Sequence, residues 1–99
     1  MSKSPSIVIA SDHPALAGHF PGMPVVPGVM LLDAALHAIG QELGADLSAC
    51  RISSVKFLSP ALPGQAIDVL HEVAGTGAIR FTLMHGERKL ASGAVQRLA

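Results

Sequence analysis

Apolar and polar positions along this chain change period once, and the change divides it into one helix and a sheet. Between Pro27 and Leu43, Val29, Leu32, Leu36, Ile39 and Leu43 recur at helical spacing, and Met30, Leu31, Ala34, Ala35 and Ala38 extend the stripe around most of the circumference. The spacing predicts a helix over 27–43, opened by Pro27 at its first position and closed by Gly44, and a helix this apolar is expected to be buried. Its polar exceptions, Asp33, His37 and Gln41, are spaced by four and share one face. Elsewhere the period is two. Ile7 to Ala10 reads as a short first strand, Arg51 to Phe57 as a second and Ala66 to Val73 as a third. Ile79, Phe81 and Leu83 alternate with Arg80 and Thr82, and Leu90 to Leu98 closes the set. Gly75-Thr76-Gly77 and His85-Gly86-Glu87 are the turns. One long helix with about five half-polar antiparallel strands predicts a single α+β domain over 1–99, the sheet wrapping one face around the helix.

Between the first strand and the helix the pattern stops. Three prolines and three glycines lie from Gly18 to Gly28, which forbids regular structure and holds the chain on a fixed path. Such a path is what a site needs if it must place one imidazole accurately, and His19 sits on it.

Composition and charge remove some functions. Ninety-nine residues bury a limited share of their surface, so a chain this apolar without Trp or Tyr is expected to share its core with a partner, as a homodimer or a higher homo-oligomer. The single Cys50 precludes an internal disulfide, and no signal peptide or membrane span is read, so a soluble cytoplasmic protein is expected. Net charge is zero, which argues against non-specific nucleic-acid binding. The second half is nonetheless the basic one, with Arg51, Lys56, Arg80, Arg88, Lys89 and Arg97 against Asp68, Glu72 and Glu87. An acidic partner could dock there; solvated strand faces of mixed charge are the plainer reading.

Two blocks carry a family resemblance. Gly18-His19-Phe20-Pro21-Gly22-Met23-Pro24-Val25-Val26-Pro27-Gly28, continuing to Asp33 and Ala34, resembles the signature of the (3R)-hydroxyacyl-carrier-protein dehydratases of fatty-acid synthesis. Val55-Lys56-Phe57-Leu58-Ser59-Pro60-Ala61-Leu62-Pro63-Gly64 resembles a later segment of the same family. The resemblance implies a hot-dog fold, in agreement with the pattern of elements. It also implies a catalytic histidine, His19, and a catalytic acid, Asp33, facing each other across a dimer, with an acyl carrier protein bearing a 3-hydroxyacyl group as partner.

The chemistry suits these residues. A neutral imidazole at His19 can take the proton next to a thioester carbonyl. A carboxyl at Asp33, on a helix expected to be buried, favours its protonated form and can donate to the leaving hydroxyl. The Gly28 N–H at the helix start can receive the thioester oxygen. Phe20, Val29 and His37 are expected beside the substrate, and Met30 and Ala34 along its channel. Asp33 paired structurally with His37, and Gly28 serving close packing, remain open.

His37 departs from the glutamine usual in the family, and is read as replacing it as a hydrogen-bonding group. A metal held by His19, Asp33 and His37 is conceivable by ligand type, but the elimination needs none, and neither metal nor other cofactor is expected. His71 and His85 are expected to be satisfied core or rim histidines, and Cys50 an inert small apolar residue. Only eighteen residues precede His19, fewer than in the housekeeping dehydratases, which is similar to the compact dehydratases of specialised lipid or aryl-polyene assembly. Two rival functions stand beside the dehydratase: a hot-dog thioesterase, and a catalytically silent subunit that binds an acyl carrier.

Overall fold

The computed structural model describes residues 5–9, 26–45, 47 and 50–97. One helix, α1 (Gly28–Leu43), packs on a five-stranded antiparallel sheet formed by β1 (Ser6–Ile7), β2 (Cys50–Phe57), β3 (Ile67–Val73), β4 (Ala78–His85) and β5 (Arg88–Arg97). The strand order is β1-β3-β4-β5-β2, so β3, β4 and β5 form a meander and β2 crosses to its far edge. This is the α+β hot-dog arrangement expected.

Alternation places the core. Ile67 and Val69 on β3, Ile79, Phe81 and Leu83 on β4, and Leu90, Ala91 and Val95 on β5 pack against Leu31, Ala35 and Ile39 of α1. Arg80, between Ile79 and Phe81, points to the exposed face. Positive-φ glycines make both turns of the meander, Gly77 at φ 89 and Gly86 at φ 62.

Gly93 shows how tightly the sheet is drawn together. An added Cβ would lie 2.5 Å from the Ser54 carbonyl oxygen of β2 and 2.8 Å from Cζ of Phe81. The backbone contact cannot swing aside, so Gly93→Ala is expected to destabilise the fold by about 1–3 kcal/mol, the cost of overpacking. Chemical denaturation at fixed protein concentration reads this as a lower midpoint; an unchanged midpoint would contradict it.

The helix differs from expectation in two respects. Pro27 has φ −58 and ψ 141, an extended conformation, so it caps α1 from outside and Gly28 is the first helical residue. Moreover, α1 is not buried all round. One sheet face covers one helix face, and the covered line is Leu31, Ala35 and Ile39 with Gly40, while Asp33, His37 and Gln41 are exposed and Val29 is 82% exposed. At its other end the helix closes as predicted. Gly44 takes the left-handed conformation, its N–H bonding to Gln41 O at 3.4 Å and that of Ala45 to Gly40 O at 2.8 Å, a Schellman closure.

Strand ends shift by a few residues. β1 is shorter than Ile7 to Ala10, because past Ile7 the chain leaves the ladder and the Ile9 carbonyl accepts from the Gly64 N–H at 2.8 Å. β4 runs on to His85, whose Nδ1 lies 2.8 Å from the Ala66 carbonyl oxygen, a satisfied rim histidine. His71 is the exception to that expectation. Its Nδ1 is buried without a hydrogen-bond partner among the described residues.

Candidate active site

The two blocks singled out in the sequence meet at the start of α1. A register shift between Leu83 and Met84 leaves Leu90 unpaired in the β4–β5 ladder, and the carbonyl of this buried residue accepts from Leu58 N–H at 2.8 Å and Ser59 N–H at 3.2 Å. The bulge thereby fixes the segment that follows β2. From there the Ala61 carbonyl accepts the Val26 N–H at 2.8 Å, tying down the residue two positions before the helix.

Phe57 ends β2 against Gly28. A Cβ on Gly28 would stand 2.9 Å from Cζ of the Phe57 ring, so glycine there lets the aromatic close over the first turn. Close packing and an oxyanion role are compatible, since the first N–H groups of a helix have no intrahelical acceptor and stand at the positive end of its dipole. Gly28, Phe57 and the 58–61 segment line a cavity of about 400 Å³.

Asp33 opens elsewhere. It lines a cavity of about 610 Å³ with Leu36, His37, Gly40 and Gln41 of α1, and with Leu47, Cys50 and Ile52. Five residues separate Gly28 from Asp33, or 140° around the helix, so within one chain the candidate oxyanion donor and the candidate acid face different cavities. The apolar burial expected for Asp33 is not supplied by the described residues of its own chain, because the sheet covers the opposite helix face.

Val29, Asp33, His37 and Gln41 form one exposed line along α1. His37 also borders a second groove, of about 450 Å³, between α1 and the 5–9 segment, and Ala34 lies there rather than in the larger cavity. Met30 is half-buried and packs on the core. His19 and Phe20 lie outside the described residues.

Cys50 and Ile52 in the cavity wall, and Phe57 over Gly28, were not foreseen. The Lys56-Phe57 block was visible in the sequence, but nothing local says that its ring lands on residue 28. Among the described residues, no group of three or more His, Cys, Asp or Glu side chains stands close enough to hold a metal ion.

Comparison with known proteins gives the family and the fold. The sequence matches the ApeI-like family, described as ApeI dehydratase, over residues 3–94. The chain belongs to the ApeI-like dehydratase family. Among relatives of this ApeI-like chain is the 3-hydroxyacyl-[acyl-carrier-protein] dehydratase FabZ of Chlamydia trachomatis, 36% identical over 73 residues, covering 65% of this chain and 48% of the relative. FabZ of Geobacter metallireducens is 32% identical over 97 residues, covering 88% of this chain and 63% of that protein. The chain thus spans about half to two thirds of the length of these two relatives. The fold is shared with the dehydratase heterocomplex ApeI:P of Xenorhabdus doucetiae, at TM-score 0.75 and 23% identity over 95% of this chain and 84% of that one.

Proposed function

We propose that the chain catalyses elimination of water from a (3R)-hydroxyacyl thioester to give a trans-2-enoyl thioester, within fatty-acid or specialised lipid or aryl-polyene synthesis. The observation that carries this reading is the junction at the start of α1, where the Val26–Ala61 hydrogen bond and the Phe57–Gly28 contact join the two blocks in a chain of dehydratase family.

In this reading His19 removes the proton from the carbon next to the thioester carbonyl. The C–H electron pair becomes the new double bond, the C–O bond at the next carbon breaks, and Asp33 gives its proton to the departing hydroxyl, so that water leaves. The Gly28 N–H receives charge that builds on the carbonyl oxygen. Asp33 faces outward on α1, which suits a base supplied across a dimer. That dimer pairs two copies of this chain; a heterocomplex like that of the Xenorhabdus relative is the alternative for the test to separate.

The acyl group rides on an acyl carrier protein, in the cytoplasm. No helix among the described residues is long and apolar enough to cross a membrane.

The test offers short, medium and aryl 3-hydroxyacyl thioesters, on carrier protein and on coenzyme A, to wild type and His19→Ala. Enoyl thioester is expected from wild type, reduced on the order of 10²- to 10⁴-fold in the variant, the worth of one acid–base group. Free thiol without enoyl product would favour the thioesterase, and carrier retention without turnover the silent subunit. Full activity in His19→Ala would remove the histidine from the mechanism.

A further inference from the structure

We infer that the outer face of the sheet, the one turned away from α1, docks on the same face of a second copy of this chain, stacked about a two-fold axis that runs along the strands. This surface lies on the side of the sheet opposite α1 and Asp33, and the inference does not depend on the dehydratase reading.

The strand registers lay the outer face out in rows that cross β3, β4, β5 and β2 in turn. One row runs Leu70, Thr82, Ser92 and Lys56, and the next runs Glu72, Arg80, Ala94 and Ser54. Beyond Glu72 follows a row of Ala78, Gln96 and Arg51; beyond Leu70 follows one of Asp68, Met84 and Lys89. Charge is sorted by column. β3 carries both acids, Asp68 and Glu72, whereas Lys89 stands on β5 and Lys56 and Arg51 on β2, and all five are exposed. Arg80 has a neighbour of opposite charge in its own chain, since it pairs directly with Glu72 across the β3–β4 ladder. Lys56 has none, because β2 and β3 are three strand spacings apart, about 14 Å, beyond the reach of a Lys–Glu pair.

An axis between β4 and β5 sets β3 of one copy over β2 of the other, and β4 over β5, row for row. Lys56 then stands over Leu70, with Asp68 and Glu72 one row to either side, and Arg51 falls one row from Glu72. Shape agrees with charge. Arg80 meets Ala94, Glu72 meets Ser54 and Gln96 meets Ala78, so long side chains face short ones, and Leu70, 43% exposed, meets the aliphatic stem of Lys56. Stacked sheets lie about 10 Å apart, a gap that a lysine and a glutamate span together. An axis across the strands instead lays the acidic column on itself and the basic column on itself. An acidic partner of another kind would meet the two carboxylates of β3, so the complement of this face is the face itself.

The test is sedimentation velocity over a concentration series, at low and high salt, on wild type, Lys56→Glu, Glu72→Lys and the double variant carrying both, with a thermal melt on each. Wild type is expected to self-associate, and less so at high salt. Each single reversal should weaken that association on the order of tenfold, because the two-fold axis counts every altered pair twice. The double variant exchanges the two signs and should recover part of the loss. In parallel, a carbodiimide, which joins amines to carboxylates without a spacer, is applied to wild type mixed with isotope-labelled wild type. Peptides linking Lys56 to Asp68 or Glu72 should then combine one labelled and one unlabelled half.

Self-association indifferent to both reversals, a double variant weaker than either single one, or no mixed cross-link at Lys56 would each overturn the inference. The cross-link uses the unaltered chain, so it decides the matter even where a variant fails to fold. Retention of purified acyl carrier protein that is lost in Lys56→Glu and raised in Glu72→Lys, without self-association of wild type, would overturn it in favour of an acidic partner.

Discussion

Asp33→Asn is expected to lower enoyl-thioester formation on the order of 10²- to 10⁴-fold while leaving the fold intact. Asparagine keeps the size and most of the hydrogen-bonding capacity of the carboxyl but has no proton to transfer, so the loss should fall on kcat. The structure makes this a clean substitution. Asp33 lies on the exposed line of α1, away from Leu31, Ala35 and Ile39, and a change there is expected to alter stability by no more than about 0.5 kcal/mol. Steady-state kinetics with a thermal melt on the same sample checks both halves. Turnover within a few-fold of wild type would move the acid to another residue; a collapsed melt would mean that Asp33 holds structure instead.

Leu83→Ala carries the largest expected effect on stability. Leu83 is fully buried at the centre of β4, where it pairs with Val69 on one side and Ala91 on the other, and it belongs to the cluster that α1 covers. Truncation removes buried methyl groups from a site whose neighbours hang on hydrogen-bonded strands and cannot collapse freely, so a loss of about 2–5 kcal/mol is expected. Domains are stable by only about 5–15 kcal/mol, so the variant should sit near its unfolding threshold at 37 °C. Denaturant titration at one fixed concentration measures it, since any self-association adds a concentration-dependent part to the midpoint. A loss below about 1 kcal/mol would mean that the cavity had refilled.

Much of the fold was legible because its signals are local. Alternation marked β3, β4 and β5, glycines with positive φ marked both turns of the meander, and Gly44 marked the end of α1. Burial of the helix was misjudged because apolar circumference was counted without asking how many layers the chain has to cover it. With one sheet there is one covered face, and Leu31, Ala35 and Ile39 outrank the stripe through Val29, Leu32 and Leu36.

The site was legible as residues and illegible as contacts. Asp33, His37 and Gln41 share a face by spacing alone, whereas Phe57 reaches Gly28 through the bulge at Leu90, a step no local pattern encodes.

β2 carries a consequence of another kind. Among the described residues it has a strand neighbour on one side only, β5, and it brings Cys50 and Ile52 to the cavity of Asp33. Among the described residues no strand pairs with its far side, and such an edge of N–H and C=O groups is a template for pairing with another strand. One eight-residue segment is therefore both the rim of the sheet and the wall of a pocket. Whatever pairs with that rim would also touch the wall, so assembly through this edge and pocket shape are not independent variables, and a substitution on β2 chosen to block such pairing would retune the pocket in the same stroke.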